Sequence, residues 1–187
     1  LFKAVCTISS ELNEISKENI PDEISNLKFR GDNANFSISL FQEYLINPNT
    51  QIKNFISILA KTIFRWSDNN LFNGYEKMAT AHHGPELFLG FLPRYIDVFP
   101  DEKKSKSLLL GAAEYIGNWK KDFPKWFDYE NESFKSWYLG SVGTDSRKVA
   151  AYETADHLRF LHIALIAWKI GGGNKYIEWA LKYGKKF

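Results

Sequence analysis

The sequence predicts an all-α fold made of helical hairpins, each an enclosed helix followed by an amphipathic one. Three observations carry that prediction. Apolar residues recur at three- and four-residue spacing through most of the chain, the pairing of an enclosed with a half-wet helix appears three times, and no segment shows the apolar–polar alternation of a strand. One domain over 1–187 is expected: an irregular N-terminal segment at 1–34, hairpins at 35–70, 86–122 and 152–187, and an aromatic loop region at 123–151.

In order, Ser9-Ser10-Glu11 is a cap signal for a short helix and Pro21-Asp22-Glu23 for a further turn. A helix is expected from Asn35 to Ile46, stopped by Asn47-Pro48-Asn49, because proline restricts its predecessor and cannot continue a helix. From 50 to 67 the stripe Ile52, Phe55, Ile56, Leu59, Ile63 and Trp66 faces away from Lys53, Ser57 and Lys61.

The second hairpin begins at His82-His83-Gly84-Pro85-Glu86, which leads into the apolar run Leu87 to Leu92, with Pro93 expected to kink it. Pro100-Asp101 turns the chain into a helix from Glu102 to Lys121, striped by Leu108, Ala112, Tyr115, Ile116 and Trp119. The third hairpin runs from Tyr152 to Ile170, breaks at Gly171-Gly172-Gly173, and returns from Asn174 towards Phe187 with Ile177, Ala180, Leu181 and Gly184 on one face.

Size and composition narrow the function. With 187 residues, 44% hydrophobic and 25% charged, the chain has enough apolar content for a sizeable core. A net charge of +2 with no dense Lys/Arg block argues against nucleic acid or an anionic membrane as partner. Cys6 is the only cysteine, which excludes an internal disulfide and a multi-cysteine metal site. No run approaches the roughly 20 apolar residues of a membrane span, so a soluble chain is expected, its compartment left open. Because the chain starts at Leu1, an upstream segment is expected to have been removed.

The aromatic content, 16% from 6 Trp, 9 Tyr and 15 Phe, is high enough to serve both a core and a ligand surface. Within 123–151 it concentrates in Phe123, Trp126, Phe127, Tyr129, Phe134, Trp137 and Tyr138, either a cover for a site or a satellite cluster that packs the loop down.

The stretch Tyr152 to Ile170 holds the best functional clue. After Leu158 only Arg159, His162 and Lys169 interrupt its apolar residues, so it is expected to be enclosed. Its first turns instead carry Glu153, Asp156, His157 and Arg159, a polar mouth on a buried helix.

Alternating enclosed and half-exposed helices with polar residues before the enclosed ones resemble the (α/α) toroid of six-hairpin glycosidases and polysaccharide lyases, over about residues 35–187. The segment Ala81-His82-His83-Gly84 resembles the Asn-Asn-His-Gly motif of alginate-lyase-like enzymes, matching at His83 and Gly84 and differing at Ala81 and His82. The resemblance implies a carbohydrate-active enzyme whose cleft lies at one end of the enclosed helices. Three hairpins are half of such a ring, so a fragment of a larger chain, a self-closing bundle or an oligomer is implied.

For eliminative cleavage of a uronic-acid polymer, His83, Tyr152 and His157 are the candidates for proton transfer, and Arg147 or Arg159 for neutralising the substrate carboxylate. For hydrolysis, two carboxylates must flank the bond, and Glu86, Asp145, Glu153 and Asp156 are available. Trp126, Trp137 and Tyr138 are the candidate sugar-binding faces. Each residue also has a plainer role: Glu153 and His157 as a helix pair, Asp145 as a cap, His162 as a core histidine. His82 and His83 with Glu86 or His157 lack an HExxH-type spacing, so no metal or cofactor is expected. The rival to an enzyme is a helical scaffold that binds a protein or glycan on its inner surface.

Overall fold

The computed structural model describes residues 32–145, 147 and 154–187, with side chains from Ile38 onward. The expected turns before residue 32 and the helix start at Tyr152 and Glu153 lie outside the described residues. The chain divides into two compact units, 1–69 and 70–187.

In the first unit, α1 (Asp32–Ile46) and α2 (Thr50–Asn70) flank the expected Asn-Pro-Asn break. Asn49 caps α2, its Oδ1 accepting from the Ile52 N–H at 2.8 Å, which satisfies one of the unpaired donors of the first turn. Ile52, Ile56, Leu59 and Ile63 are buried, as the stripe requires, together with Ala60, Thr62, Phe64 and Ser67.

The second unit corrects the predicted fold class, because the chain is mixed α and β rather than all-α. Five short strands occur among the described residues: β1 (Ala79–Thr80), β2 (Phe127–Asp128), β3 (Ser133–Phe134), β4 (Tyr138–Gly140) and β5 (Gly143–Thr144). A three-stranded antiparallel sheet runs β1-β4-β5, with Ala79 opposite Leu139 and Leu139 opposite Thr144; β2 and β3 form a separate hairpin. Four strands therefore lie in the segment expected to be loop. Each is two or three residues long, too short to display the period-two alternation by which a strand is recognised.

The helices of this unit among the described residues are α3 (Glu86–Leu89), α4 (Leu92–Val98), α5 (Lys103–Ala113), α6 (Leu158–Lys169) and α7 (Asn174–Gly184), with a 3₁₀ turn at Ala155–His157 before α6. The apolar run after Pro85 is two helices, and Arg94 holds their junction by donating from Nη1 to the Leu89 and Gly90 carbonyls at 3.0 and 2.7 Å. Helix α5 stops at Ala113, short of the expected Lys121. Asn118 takes a left-handed φ of 56°, and its side chain both donates to the Phe127 carbonyl and accepts from the Phe127 N–H, pinning β2.

Helix α7 is rotated from its expected face: Tyr176, Trp179, Ala180 and Tyr183 are buried, and Leu181 is exposed. Its aromatic face meets Phe127 and Phe134 of the β2–β3 hairpin edge to face. Helix α6 is less enclosed than predicted, since Leu158, His162 and Trp168 reach the surface. A cluster of Tyr75, Phe88, Tyr115, Trp126 and Phe160 fills the interior, with Trp126 Nε1 donating to the Gly140 carbonyl at 3.0 Å. Among the described residues no helix is long and apolar enough to cross a membrane.

Candidate functional site

The site forms where the end of β1 meets the start of α6. Past β1 the chain folds back on Thr80, whose carbonyl accepts from the Gly84 N–H at 2.8 Å and whose Oγ1 accepts from the His83 N–H at 3.0 Å. A Cβ on Gly84 would stand 3.1 Å from the Thr80 carbonyl oxygen, so the turn closes tightly there. The Ala81 N–H donates to the Trp137 carbonyl at 2.7 Å, tying the turn to the segment entering β4. His82 and His83 are thereby presented side by side, their rings edge to face with centroids 4.7 Å apart.

Facing them, the 3₁₀ turn supplies Asp156 and the first turn of α6 supplies Arg159. Asp156 Oδ1 accepts from His82 Nδ1 at 3.0 Å, and Oδ2 accepts from Trp137 Nε1 at 3.0 Å. Arg159 Nε lies 3.7 Å from Asp156 Oδ1, while its Nη1 donates to the His82 carbonyl at 3.1 Å. Partial burial raises the Asp156 pKa, but the hydrogen bonds from His82 and Trp137, with the electrostatic pull of His82 and the Arg159 guanidinium, outweigh it and hold the carboxyl below its usual range.

An ionised Asp156 fixes the tautomer of its partner. In a neutral His82 the proton sits on Nδ1, where it is donated to the carboxylate, and Nε2 carries the lone pair. The side chain is 42% exposed, so that nitrogen belongs to a ring solutes can reach. A carboxylate-oriented imidazole of this kind is the geometry of a general base.

His83 Nδ1 stands 3.5 Å from Glu86 Oε1, with His83 open to solvent and Glu86 largely covered. Glu86 Oε2 is buried with no hydrogen-bond partner among the described residues.

His157 has a different place from the one its sequence suggests. It is fully buried, stacked on Phe134 at 4.8 Å with planes 7° apart. Its Nδ1 accepts from the Thr154 N–H at 2.9 Å, which puts the proton on Nε2, and Nε2 donates to the Ser136 carbonyl at 2.9 Å. With both nitrogens engaged inside the core, this ring pins the 3₁₀ turn to the strand side of the unit.

Of the expected site residues, the structure brings Asp156, Arg159 and Trp137 together, and pairs His83 with Glu86. Tyr138 is half-buried beside Trp137, their rings 5.0 Å apart. Trp126 is fully buried and presents no face to a ligand. Arg147 pairs with Asp145, its Nε donating to Asp145 Oδ2 at 2.8 Å, and its guanidinium lies over the Tyr138 ring. Tyr152 and Glu153 lie outside the described residues. His82 was not among the expected catalytic groups, because its partner is 74 positions away and no local spacing marks the pair.

Compared with protein-family models, curated proteins and solved structures, the chain matches none.

Proposed function

We propose that this mouth is the active site of a carbohydrate-active enzyme that cleaves a uronic-acid-bearing polysaccharide by β-elimination, with His82 as the base. The observation that carries the reading is the hydrogen bond between His82 Nδ1 and an Asp156 carboxylate held on its other oxygen by Trp137. His82 Nε2 takes the proton α to the uronate carboxylate. The electron pair of that C–H bond becomes the new carbon–carbon double bond, the glycosidic C–O bond breaks, and the departing oxygen is protonated by water or by the imidazolium.

Arg159 contributes positive charge beside the base, where a substrate carboxylate needs neutralising as negative charge grows on its carbon. The half-exposed Trp137 and Tyr138 rings border the same place and offer apolar faces to a sugar ring.

Digestion of a panel of neutral and uronic-acid polysaccharides tests this, read by absorbance of unsaturated product ends and by reducing-end release. An absorbance rise that disappears in His82→Ala supports elimination. Reducing ends without absorbance would move the chemistry to hydrolysis by Glu86 and Asp156, and silence in both would favour a binding scaffold.

A further inference from the structure

His82, His83 and Glu86 each offer one donor atom, and these three atoms lie within 4.8 Å of one another. We propose that this cluster is a site for one borderline-soft divalent cation, of the zinc class, and that a cation bound there switches off proton transfer by His82. The second half rests on the reading of His82 as the base; the first half stands without it.

Four features support the site. Two imidazoles and a carboxylate are the donor set of many zinc centres with an open fourth position. Around a tetrahedral zinc, ligand atoms stand about 3.3 Å apart, so closure takes side-chain movements of about 1 Å, within reach of an exposed His83. Glu86 already holds a buried, unpartnered carboxylate oxygen, a group whose desolvation is offset when it meets a cation. Asp156 on His82 Nδ1 supplies the outer carboxylate that orients metal-bound histidines and raises their basicity, leaving Nε2 to ligate.

The spacing fits no helical zinc motif because these ligands sit on a turn. The fold-back on Thr80 sets His82 and His83 next to each other, and Pro85 starts the helix that carries Glu86.

Ligation and catalysis compete for the same lone pair. While Nε2 is bound to the cation it cannot accept a proton, so cation occupancy and turnover exclude each other.

The test is a titration of the whole chain, without an added polyhistidine tag, with Co²⁺ followed by its visible absorption, and competition by Zn²⁺. The expected result is one equivalent bound, with affinity at least about tenfold weaker in His83→Ala and in Glu86→Gln, and about 10–100-fold weaker in Asp156→Asn. His83 is exposed and Glu86→Gln keeps its shape, so both variants are expected to fold, as circular dichroism will verify. Absence of binding, or binding indifferent to both substitutions, overturns the site. Zinc that inhibits polymer cleavage over the same concentrations at which it displaces Co²⁺ supports the switch, and zinc that accelerates cleavage overturns it. A chain that binds Co²⁺ as described but cleaves no polymer sinks the elimination reading and leaves cation binding as the supported role of the mouth.

Discussion

Asp156 Oδ1 and His82 Nδ1 are 3.0 Å apart although 74 positions separate them in the chain, and the carboxylate is saturated on its far side by Trp137. Both oxygens accept. An asparagine there must turn its NH₂ towards one of two donors, so Asp156→Asn breaks either the histidine bond or the tryptophan bond. On a uronic-acid polymer that the wild type cleaves, His82→Ala is expected to lose about 10²–10⁴ in turnover, the usual contribution of a positioned base. Asp156→Asn is expected to lose activity while circular dichroism stays native. Wild-type turnover from a folded His82→Ala would remove that residue from the mechanism.

Replacing His157 acts on a different quantity. The ring is buried, stacked on Phe134, and bonded through both nitrogens to the Thr154 N–H and the Ser136 carbonyl. His157→Ala leaves a buried carbonyl unpaired and opens a void, which is expected to cost about 2–4 kcal/mol of stability. Urea denaturation measures it. By sequence His157 is a candidate for proton transfer; its buried, doubly bonded ring makes loss of stability the first effect of replacing it. A cost below about 0.5 kcal/mol would show that neither bond contributes.

Acid is expected to weaken the start of α5. Glu102 accepts at Oε1 from the Lys104 N–H and at Oε2 from the Ser105 N–H. Burial raises its pKa, yet those backbone bonds, the Ser105 hydroxyl and the Lys104 charge bring it below the ordinary value. A carboxyl whose folded pKa is depressed stabilises the fold above its unfolded pKa, about 4.3, and that contribution is lost as pH falls through the lower folded value. Glu102→Gln is therefore expected to destabilise by about 1 kcal/mol at neutral pH, the usual worth of a cap. The gap from wild type should close as pH drops below about 4. Thermal unfolding at a series of pH values would detect the convergence, and a gap constant with pH would contradict it.

Two glycines of opposite sensitivity test the packing. A Cβ on Gly140 would run into the backbone of Lys77 and Met78, at the place where the Gly140 carbonyl receives Trp126 Nε1. Gly140→Ala is expected to cost more than about 3 kcal/mol or to prevent folding. Gly111 lies within α5, and a Cβ there would meet nothing closer than the Asn73 carbonyl oxygen at 3.7 Å. Gly111→Ala is expected to stabilise by up to about 1 kcal/mol through helix propensity. Differential scanning calorimetry of the pair should give melting temperatures displaced in opposite directions; an unchanged or raised value for Gly140→Ala would refute the close approach there, and a lowered value for Gly111→Ala would refute the gain in helix propensity.

The long-period features of the sequence translated well. The Asn47-Pro48-Asn49 break, the α2 stripe and the triple-glycine turn lie where pattern put them, because each rests on local chemistry that tertiary contacts reinforce. The strands were hidden by brevity. One signal was nonetheless present: Asn73-Gly74 is a strong hairpin-turn dipeptide, and both residues take positive φ between Phe72 and Tyr75, whose backbones pair across the turn. At the mouth, Asp156, Arg159 and Trp137 were legible as polar or aromatic residues near a buried helix. The separation of Asp156 from His157 was not. Adjacent residues on a 3₁₀ turn point in different directions, and only the packed strands reveal which of the two faces inward.

That turn joins two environments in neighbouring residues. His157 is locked into the aromatic interior, and Asp156, the residue before it, aims a solvent-accessible imidazole. The alignment at the surface is thus inherited from below. Anything that lets the Phe134–His157 stack breathe, such as a smaller ring, heat or mild denaturant, will widen the range of His82 orientations before secondary structure is lost. Under the proposed elimination, activity fades ahead of unfolding, and the core histidine sets how sharply the exposed one is held.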